Sequence, residues 1–161
     1  MNKALSQFEA IVRSIKKVAA TATRDAATLH PFDERNIHPD IAKVALKLFD
    51  NGHFSQATFE AYKYIDKFVG KLSGIRKDTG WKLMMAAFEG GQPKIQLTPM
   101  ANLSEKDEQE GYRYIFAGTV SAIRNPRGHE VNLPDTIDLC LDHLSVASVL
   151  LRRLEERVAP A

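Results

Sequence analysis

The chain has 161 residues, of which 44% are hydrophobic and 26% are charged. This composition is typical of a single globular domain and excludes a disordered or fibrous protein. The formal net charge is only +2. Binding of a nucleic acid would therefore depend on local clusters of basic side chains rather than on the charge of the whole chain.

Two features of the sequence favour a cytoplasmic protein. Cys140 is the only cysteine, which excludes a disulfide bond within the chain and is typical of a reducing compartment. The sequence at Met1 lacks a signal-peptide pattern, and no apolar run is long enough to cross a membrane. We therefore expect a cytoplasmic protein without a membrane-spanning segment.

Helical spacing of apolar residues begins near the N-terminus. Apolar residues between Phe8 and Ala19 recur every three or four positions, with basic residues mostly on the other side, which predicts an amphipathic helix. A mixed stretch that contains Pro31 follows and is interpreted as a connection. We assign residues 1–35 to this N-terminal helix and connection, and residues 36–159 to a single helical domain.

Three helices are predicted in the first half of that domain. The first begins at Pro39 and stops before Gly52, because proline is favoured in a first helical turn and glycine just after a last one. The second covers residues 55–72, and a shorter third covers residues 80–88. The proline-containing segment 92–103 fits either an extended piece or a loop.

Two long helices complete the domain. The residues from Ser104 to Asp107 have the form of a capping box and predict the start of one helix, which Pro126 is expected to end or kink. The last helix follows Asp135 and carries Cys140 on its apolar stripe, so we expect Cys140 in the core. The predicted fold class is an all-α bundle of about five helices.

The turn between these two helices holds Arg124 and His129, which are five positions apart. On an unbroken helix these two side chains would point about 140° apart around the axis. Pro126 and Gly128 lie between them and favour a break, which would let both side chains converge on one phosphate. Asn125, four residues before His129, would orient the imidazole if the helix resumes.

An arginine and a histidine in one site suit RNA cleavage without a metal ion. Arginine keeps its charge, and its planar fork matches phosphate oxygens, while histidine transfers protons near neutral pH. Cleavage requires one group that takes the 2′-hydroxyl proton and another that protonates the leaving 5′-oxygen, whereas this turn offers one histidine per chain. A symmetric dimer with its twofold axis at the turn would supply both.

Other basic residues are candidates for RNA binding. Lys63, Lys67 and Lys71 stand four positions apart and form a basic stripe that would attract phosphates, although such a stripe is often only a solvated helix face. Arg127 lies inside the turn and is a further candidate for a phosphate contact.

Simpler interpretations of the turn remain open. Arg124 is also placed to bind the last carbonyls of its own helix, and His129 would then be an exposed turn residue. The other histidines lack the spacing of metal ligands, so the sequence predicts no metal site.

The turn resembles the signature of a known domain family. The segment Arg124-Asn125-Pro126-Arg127-Gly128-His129 resembles the Arg-x4–6-His signature of HEPN domains, in which a polar residue typically follows the arginine. More widely, residues 38–156 resemble the bacterial Ymh-type branch of conserved hypothetical proteins. The segments that carry this resemblance are 38–39, 48–54, 56–57, 59–61, 73–74, 110–118, 123–130 and 150–154.

The resemblance implies a helical bundle, usually homodimeric, with the arginine and histidine of both subunits in one cleft. It implies that Arg124 and His129 are catalytic and that Asn125 supports them. Many such domains are metal-independent endoribonucleases of toxin–antitoxin, abortive-infection or other antiviral defence systems. The implied partners are RNA, with tRNA as one possibility, a second copy of the chain, and an antitoxin or activating protein; no cofactor is implied.

Some HEPN domains are catalytically silent. The alternative function is therefore a silent dimer that binds RNA, a nucleotide or a protein and acts as a sensor or scaffold.

Overall fold

The structure is a computed structural model that describes residues 29–130 and 133–159. In these two ranges all regular structure is helical and no strand occurs, which confirms the all-α prediction. The helices are α1 (Pro31–Glu34), α2 (Pro39–Asp50), α3 (Phe54–Ser73), α4 (Gly80–Ala87), α5 (Leu103–Thr119), α6 (Asn125–His129) and α7 (Ile137–Glu155). The helix predicted between Phe8 and Ala19 lies outside the described residues.

The described chain begins with a segment tied to the end of α2. The Nδ1 atom of His30 accepts a hydrogen bond from the N–H of Phe32 at 3.1 Å, and its Nε2 atom lies 2.9 Å from Oδ1 of Asp50. Phe32 is buried against Phe49, with ring centroids 5.0 Å apart. The predicted connection before residue 36 therefore contains one short helix, α1, that belongs to the core.

Proline and glycine mark the ends of α2 and α3 as predicted. Pro39 occupies the first turn of α2, and Nδ1 of His38 accepts a hydrogen bond from the N–H of Asp40 at 3.1 Å. Gly52 and Gly74 follow α2 and α3 with φ angles of 77° and 70°, a left-handed conformation that favours glycine over residues with a Cβ atom.

The core forms around α3, which packs against α2, α4 and α7. The buried residues of α3 recur at helical spacing, and those of α7 contribute mostly leucines to the same core. Cys140 of α7 is fully buried, which confirms its predicted place. None of the helices in the described part of the chain is long and apolar enough to span a bilayer.

The segment between α4 and α5 is a loop that contributes to the core. Ile95 and Leu97 are buried. The side-chain amide of Gln109, itself buried, accepts a hydrogen bond from the N–H of Leu97 at 2.7 Å and donates one to the carbonyl of Ile95 at 3.0 Å. One amide thus satisfies backbone groups that would otherwise be buried without partners.

The start of α5 differs from the prediction. Asn102 is the N-cap, and its Oδ1 atom accepts a hydrogen bond from the N–H of Glu105 at 3.0 Å. The carboxylate of Glu105 in turn accepts one from the N–H of Ala101 at 2.8 Å. The N-cap therefore lies two residues before the predicted one, because asparagine caps as well as serine and the longer glutamate side chain reaches back.

The region of Pro126 also differs from the prediction. Helix α5 continues into one π-helical turn (Val120–Arg124), in which the N–H of Asn125 binds the carbonyl of Val120, and α6 follows directly. Pro126 is the second residue of α6, so the helix lacks one N–H donor directly after the irregular π-helical turn. The expected break between Arg124 and His129 is therefore wrong, because the irregular turn lies before Arg124 and the backbone then stays helical up to His129.

Candidate active site

Arg124 lies where the π-helical turn meets α6, with its side chain half-buried. Its guanidinium carbon lies 5.5 Å from the centroid of the Phe59 ring, a cation–π distance. Its Nη1 atom donates a hydrogen bond to Oδ1 of Asn125 at 3.1 Å, whereas its buried Nε atom has no partner among the described residues. The guanidinium is therefore held in place by only one hydrogen bond and one aromatic face.

His129 is the last residue of α6 and is exposed to solvent. Its imidazole makes no hydrogen bond to any other residue in the described ranges. Because the backbone from Arg124 to His129 is continuously helical, the two side chains point about 140° apart around the axis. Arg124 and His129 of one chain therefore do not converge on one point.

Asn125 was expected to orient the imidazole, and the helix does resume as that expectation required. Its Oδ1 atom instead accepts the hydrogen bond from Arg124. The polar residue after the arginine thus supports the arginine rather than the histidine.

Arg127 points into the protein and forms a bidentate ion pair with Asp135, with Nε–Oδ2 and Nη2–Oδ1 distances of 2.6 and 2.7 Å. Their side chains are 5% and 1% exposed. The remaining Nη1 atom donates to the carbonyl of Ile123 at 2.8 Å. The expected contact of Arg127 with RNA does not fit this arrangement, because Asp135 neutralises the guanidinium and each of its nitrogens already donates to a group within the fold.

Three titratable side chains near this ion pair are buried or partly buried: Tyr62, Cys140 and His143. The Tyr62 hydroxyl donates a hydrogen bond to the carbonyl of His143 at 2.9 Å, and burial raises the pKa of that hydroxyl well above its usual value. Burial, followed by the nearby Arg127 cation, lowers the pKa of His143. Burial likewise raises the pKa of the Cys140 thiol. These groups are uncharged near neutral pH, so the ion pair is the charged centre of the cluster.

The predicted basic stripe lies on α3. Lys63 makes an ion pair with Glu60 at 3.1 Å, and its ammonium lies 5.6 Å from the centroid of the Phe59 ring. Lys67 and Lys71 are exposed and have no ion pair within the described ranges. Since Lys63 and Arg124 share the Phe59 ring, the stripe begins beside the arginine.

Sequence reasoning missed the role of Phe59 and Gly128. A Cβ atom on Gly128 would lie 2.8 Å from Cε2 of Phe59, closer than nonbonded carbon atoms approach. Gly128 therefore allows close packing of α6 on the Phe59 ring of α3, and its helical backbone does not use the conformational freedom of glycine. The sequence gives no signal for this contact, because Phe59 and Gly128 are far apart in the chain.

An open cleft of about 690 Å³ adjoins the turn. Its described lining residues come from the α2–α3 connection, the start of α3, α6 and the chain on both sides of residues 131–132. They are Gly52, His53, Phe54, Ser55, Gln56, Arg127, Glu130, Leu133, Pro134 and Asp135. The cleft therefore lies between the α2–α3 connection and the loop that leads from α6 to α7.

One group of potential metal ligands is present in the described part of the chain: His38, Asp40 and Glu155. Since Nδ1 of His38 accepts the hydrogen bond from the N–H of Asp40, the neutral ring carries its proton on Nε2, which faces Glu155 at 3.1 Å. The carboxylate of Asp40 is also bound to Lys43 and Tyr64. These contacts account for the group as a capping network, and we do not interpret it as a metal centre.

Comparison of the sequence with known proteins identifies one family. No curated protein and no solved structure matches the chain. The model of the Hypoth_Ymh family, described as a protein of unknown function, matches residues 35–154, a range that includes α2 to α7 apart from the last residue of α7. The chain therefore belongs to the Hypoth_Ymh family.

Proposed function

We propose that this protein is a metal-independent endoribonuclease in which Arg124 and His129 are the catalytic residues. The proposal rests on one observation: the three basic side chains of the segment 124–129 differ in how many hydrogen bonds they make within the fold. Each guanidinium nitrogen of Arg127 has a hydrogen-bond partner within the fold, whereas Arg124 binds only its neighbour Asn125 through Nη1 and His129 is exposed without a partner among the described residues. The two groups left available are a cation and an imidazole, which metal-free RNA cleavage requires.

The proposed reaction is attack of a 2′-hydroxyl oxygen on the adjacent phosphorus. One imidazole accepts the hydroxyl proton as the new P–O bond forms, and a protonated imidazole donates a proton to the 5′-oxygen as its bond to phosphorus breaks. The products are a 2′,3′-cyclic phosphate and a 5′-hydroxyl. The Arg124 guanidinium neutralises the charge that develops on the phosphorane oxygens, where it lowers the barrier more than it strengthens ground-state binding.

A second copy of the chain completes this site. Arg124 and His129 of one chain diverge by about 140°, and the reaction needs two imidazoles, so the proposed active form is a symmetric dimer with the two turns face to face. A candidate contact face leads into the turn along α5, where Tyr114 and Ile115 are 57% and 48% exposed. Gly118 on the same side is exposed and would allow close approach of a second helix.

The basic stripe on α3 supplies a path for the RNA backbone. Lys63, Lys67 and Lys71 extend about 12 Å along the helix, roughly two phosphate spacings, starting beside Arg124. Exposed lysines on this path would add affinity without sequence preference.

The setting that we propose is bacterial defence or growth arrest. This part of the proposal is supported by the resemblance of the Arg124–His129 segment to HEPN domains, many of which act in toxin–antitoxin and antiviral systems. An antitoxin or activating protein is the corresponding proposed partner.

The test is incubation of the purified protein with total bacterial RNA and tRNA in excess EDTA. We expect discrete fragments that end in a 2′,3′-cyclic phosphate. Arg124→Ala and His129→Ala should each reduce the cleavage rate by about a hundred-fold or more. The matched control is His30→Ala, which removes an imidazole bound to Asp50 that has no role in the proposed reaction and should leave cleavage intact.

Cleavage that persists in both Arg124→Ala and His129→Ala would refute the assignment of these residues. Cleavage that stops in EDTA and returns with Mg²⁺ would refute the metal-independent reaction. RNA binding without any cleavage by the parent protein would instead favour the silent dimer, for which the divergence of Arg124 and His129 is the supporting observation.

A further inference from the structure

The segment from the end of α3 to the start of α4 carries an excess of positive charge. Asp78 is the only acidic residue from position 67 to position 82, so this segment has a net charge of +4. Its five basic side chains are all exposed, and none makes a hydrogen bond or an ion pair within the described ranges. We call them the basic surface: Lys67, Lys71, Arg76, Lys77 and Lys82.

A hydrogen bond holds the two ends of the basic surface together. Oδ1 of Asp66, which is buried, accepts a hydrogen bond from the N–H of Gly80 at 2.6 Å. Lys67 directly follows this aspartate, and Trp81 directly follows the glycine. A Cβ atom on Gly80 would lie 3.5 Å from Cγ1 of Val120, the first residue of the π-helical turn. The start of α4 is therefore fixed beside α3 and beside the turn that leads to the proposed catalytic residues.

An aromatic ring accompanies these cations. Trp81 is 50% exposed, and its ring makes no aromatic or cation–π contact within the described ranges. Tryptophan offers a large flat surface and is enriched where proteins bind partners. Proteins that bind single-stranded nucleic acids combine such a ring, on which a base stacks, with cations that attract the phosphates.

Single-stranded RNA fits this surface better than a duplex or a membrane. The bases of a duplex are stacked on one another, so an aromatic side chain finds no free base face. Binding at a membrane surface requires an apolar helix face, whereas Leu83 and Met84 of α4 are buried in the core and only Trp81 among its large apolar side chains is exposed. We propose that the basic surface binds single-stranded RNA and that Trp81 is the residue on which a base stacks.

The choice of RNA as the ligand rests on the proposed function, whereas binding at this surface is measured without cleavage. The probe is a 2′-O-methyl uridine oligomer of about ten nucleotides, which lacks the 2′-hydroxyl nucleophile and stays intact. Trp81 is the only tryptophan of the chain, so its fluorescence reports stacking directly, and we expect saturable quenching. By anisotropy of the labelled oligomer, Trp81→Ala should bind about ten-fold more weakly, while Trp81→Phe should keep most of the affinity.

The salt dependence of binding tests the cations. Lys82→Gln should reduce the slope of log K against log salt concentration by about 0.7, the value for one phosphate contact on a single strand. The matched control is Lys47→Gln, which removes an exposed lysine from α2 and should keep the slope of the parent. Leu103→Ala removes an exposed apolar side chain from α5 and is the corresponding control for Trp81→Ala.

Binding of the oligomer without quenching, or undiminished binding by a folded Trp81→Ala variant, would overturn the stacking role. Equal affinity for a duplex of the same length, or binding to phosphatidylglycerol vesicles in place of the oligomer, would overturn the assignment to single-stranded RNA. Binding as expected by a protein that cleaves no RNA would support this surface and refute only the endoribonuclease. Cleavage of RNA by a protein that does not bind the oligomer would refute the surface and leave the endoribonuclease in place.

Discussion

Removal of the Asp135 carboxylate is expected to be the most destabilising change around the turn. The Asp135 side chain is 1% exposed and binds that of Arg127, which is 5% exposed, through two hydrogen bonds. Asp135→Ala would leave a buried guanidinium with the carbonyl of Ile123 as its remaining hydrogen-bond partner. The main cost comes from this uncompensated charge rather than from the lost attraction alone.

The magnitude follows from the burial of both partners. Breaking a buried pair by removal of one member costs about 3–5 kcal/mol, a large part of the roughly 5–15 kcal/mol that stabilises an ordinary domain. For a chain of this size each kcal/mol lowers the Tm by about 2–4 °C, so Asp135→Ala should lower it by about 6–20 °C. The same change should reduce any RNA cleavage, because the pair holds the segment that carries Arg124 and His129.

The assay is urea unfolding followed by circular dichroism. Asp142→Ala is the matched control, because Asp142 also pairs with an arginine, Arg35, at 2.8 Å, but the two side chains are 61% and 45% exposed. An exposed pair contributes about 0–1 kcal/mol. The reasoning is refuted if Asp135→Ala costs no more than Asp142→Ala, or if replacing Arg127 and Asp135 together by leucine costs the sum of the two single changes.

Two further predictions concern residues that pack against the turn. Gly128→Ala places a Cβ atom 2.8 Å from the Phe59 ring and should lower the free energy of unfolding by about 1–2 kcal/mol, because the overpacking outweighs the helical preference of alanine; urea unfolding measures this loss. The pKa of His143 is lower in the folded than in the unfolded protein, so its contribution to stability is complete above about pH 6.5 and is lost as the pH falls through the folded value. Unfolding between pH 8 and pH 5 should therefore show a shallower decline in stability for His143→Gln than for the parent.

Each of these predictions has its own check. Phe59→Leu should relieve the Gly128→Ala clash in a double variant, and a double variant that is less stable than both single variants would contradict the proposed contact. For the pH prediction, the difference between the parent and His143→Gln separates His143 from the other histidines. Parallel stability curves for the two proteins would show that His143 titrates normally.

Local signals in the sequence predicted most of the helices. Pro39 and Gly74 mark helix ends because they act through their own backbone geometry, which needs no knowledge of the fold. The apolar periodicity around Cys140 likewise predicts a buried position from neighbouring residues alone. The type of each of these elements and the burial of Cys140 could therefore be predicted from the sequence alone.

The parts that the sequence did not predict depend on contacts between distant residues or on competition between near-equal signals. Asn102 and Ser104 are both good helix caps, and the side chain of Glu105 decides between them. The sequence alone predicts that Arg127 faces the solvent, whereas the structure shows it paired with Asp135 in the interior. The contact of Gly128 with Phe59 joins residues far apart in the chain, so the glycine suggests a flexible turn when it is in fact a point of close packing.

The π-helical turn between Val120 and Arg124 is equivalent to one residue inserted into an α-helix. Deletion of a single residue before Arg124 in this turn would restore regular α-helical hydrogen bonds and rotate the following segment by about 100°. Arg127 would then leave Asp135, although all residues from Arg124 to His129 would still be present. A length difference of one residue among related chains at this position would therefore change which side chains face the solvent while leaving the Arg-x4-His spacing intact.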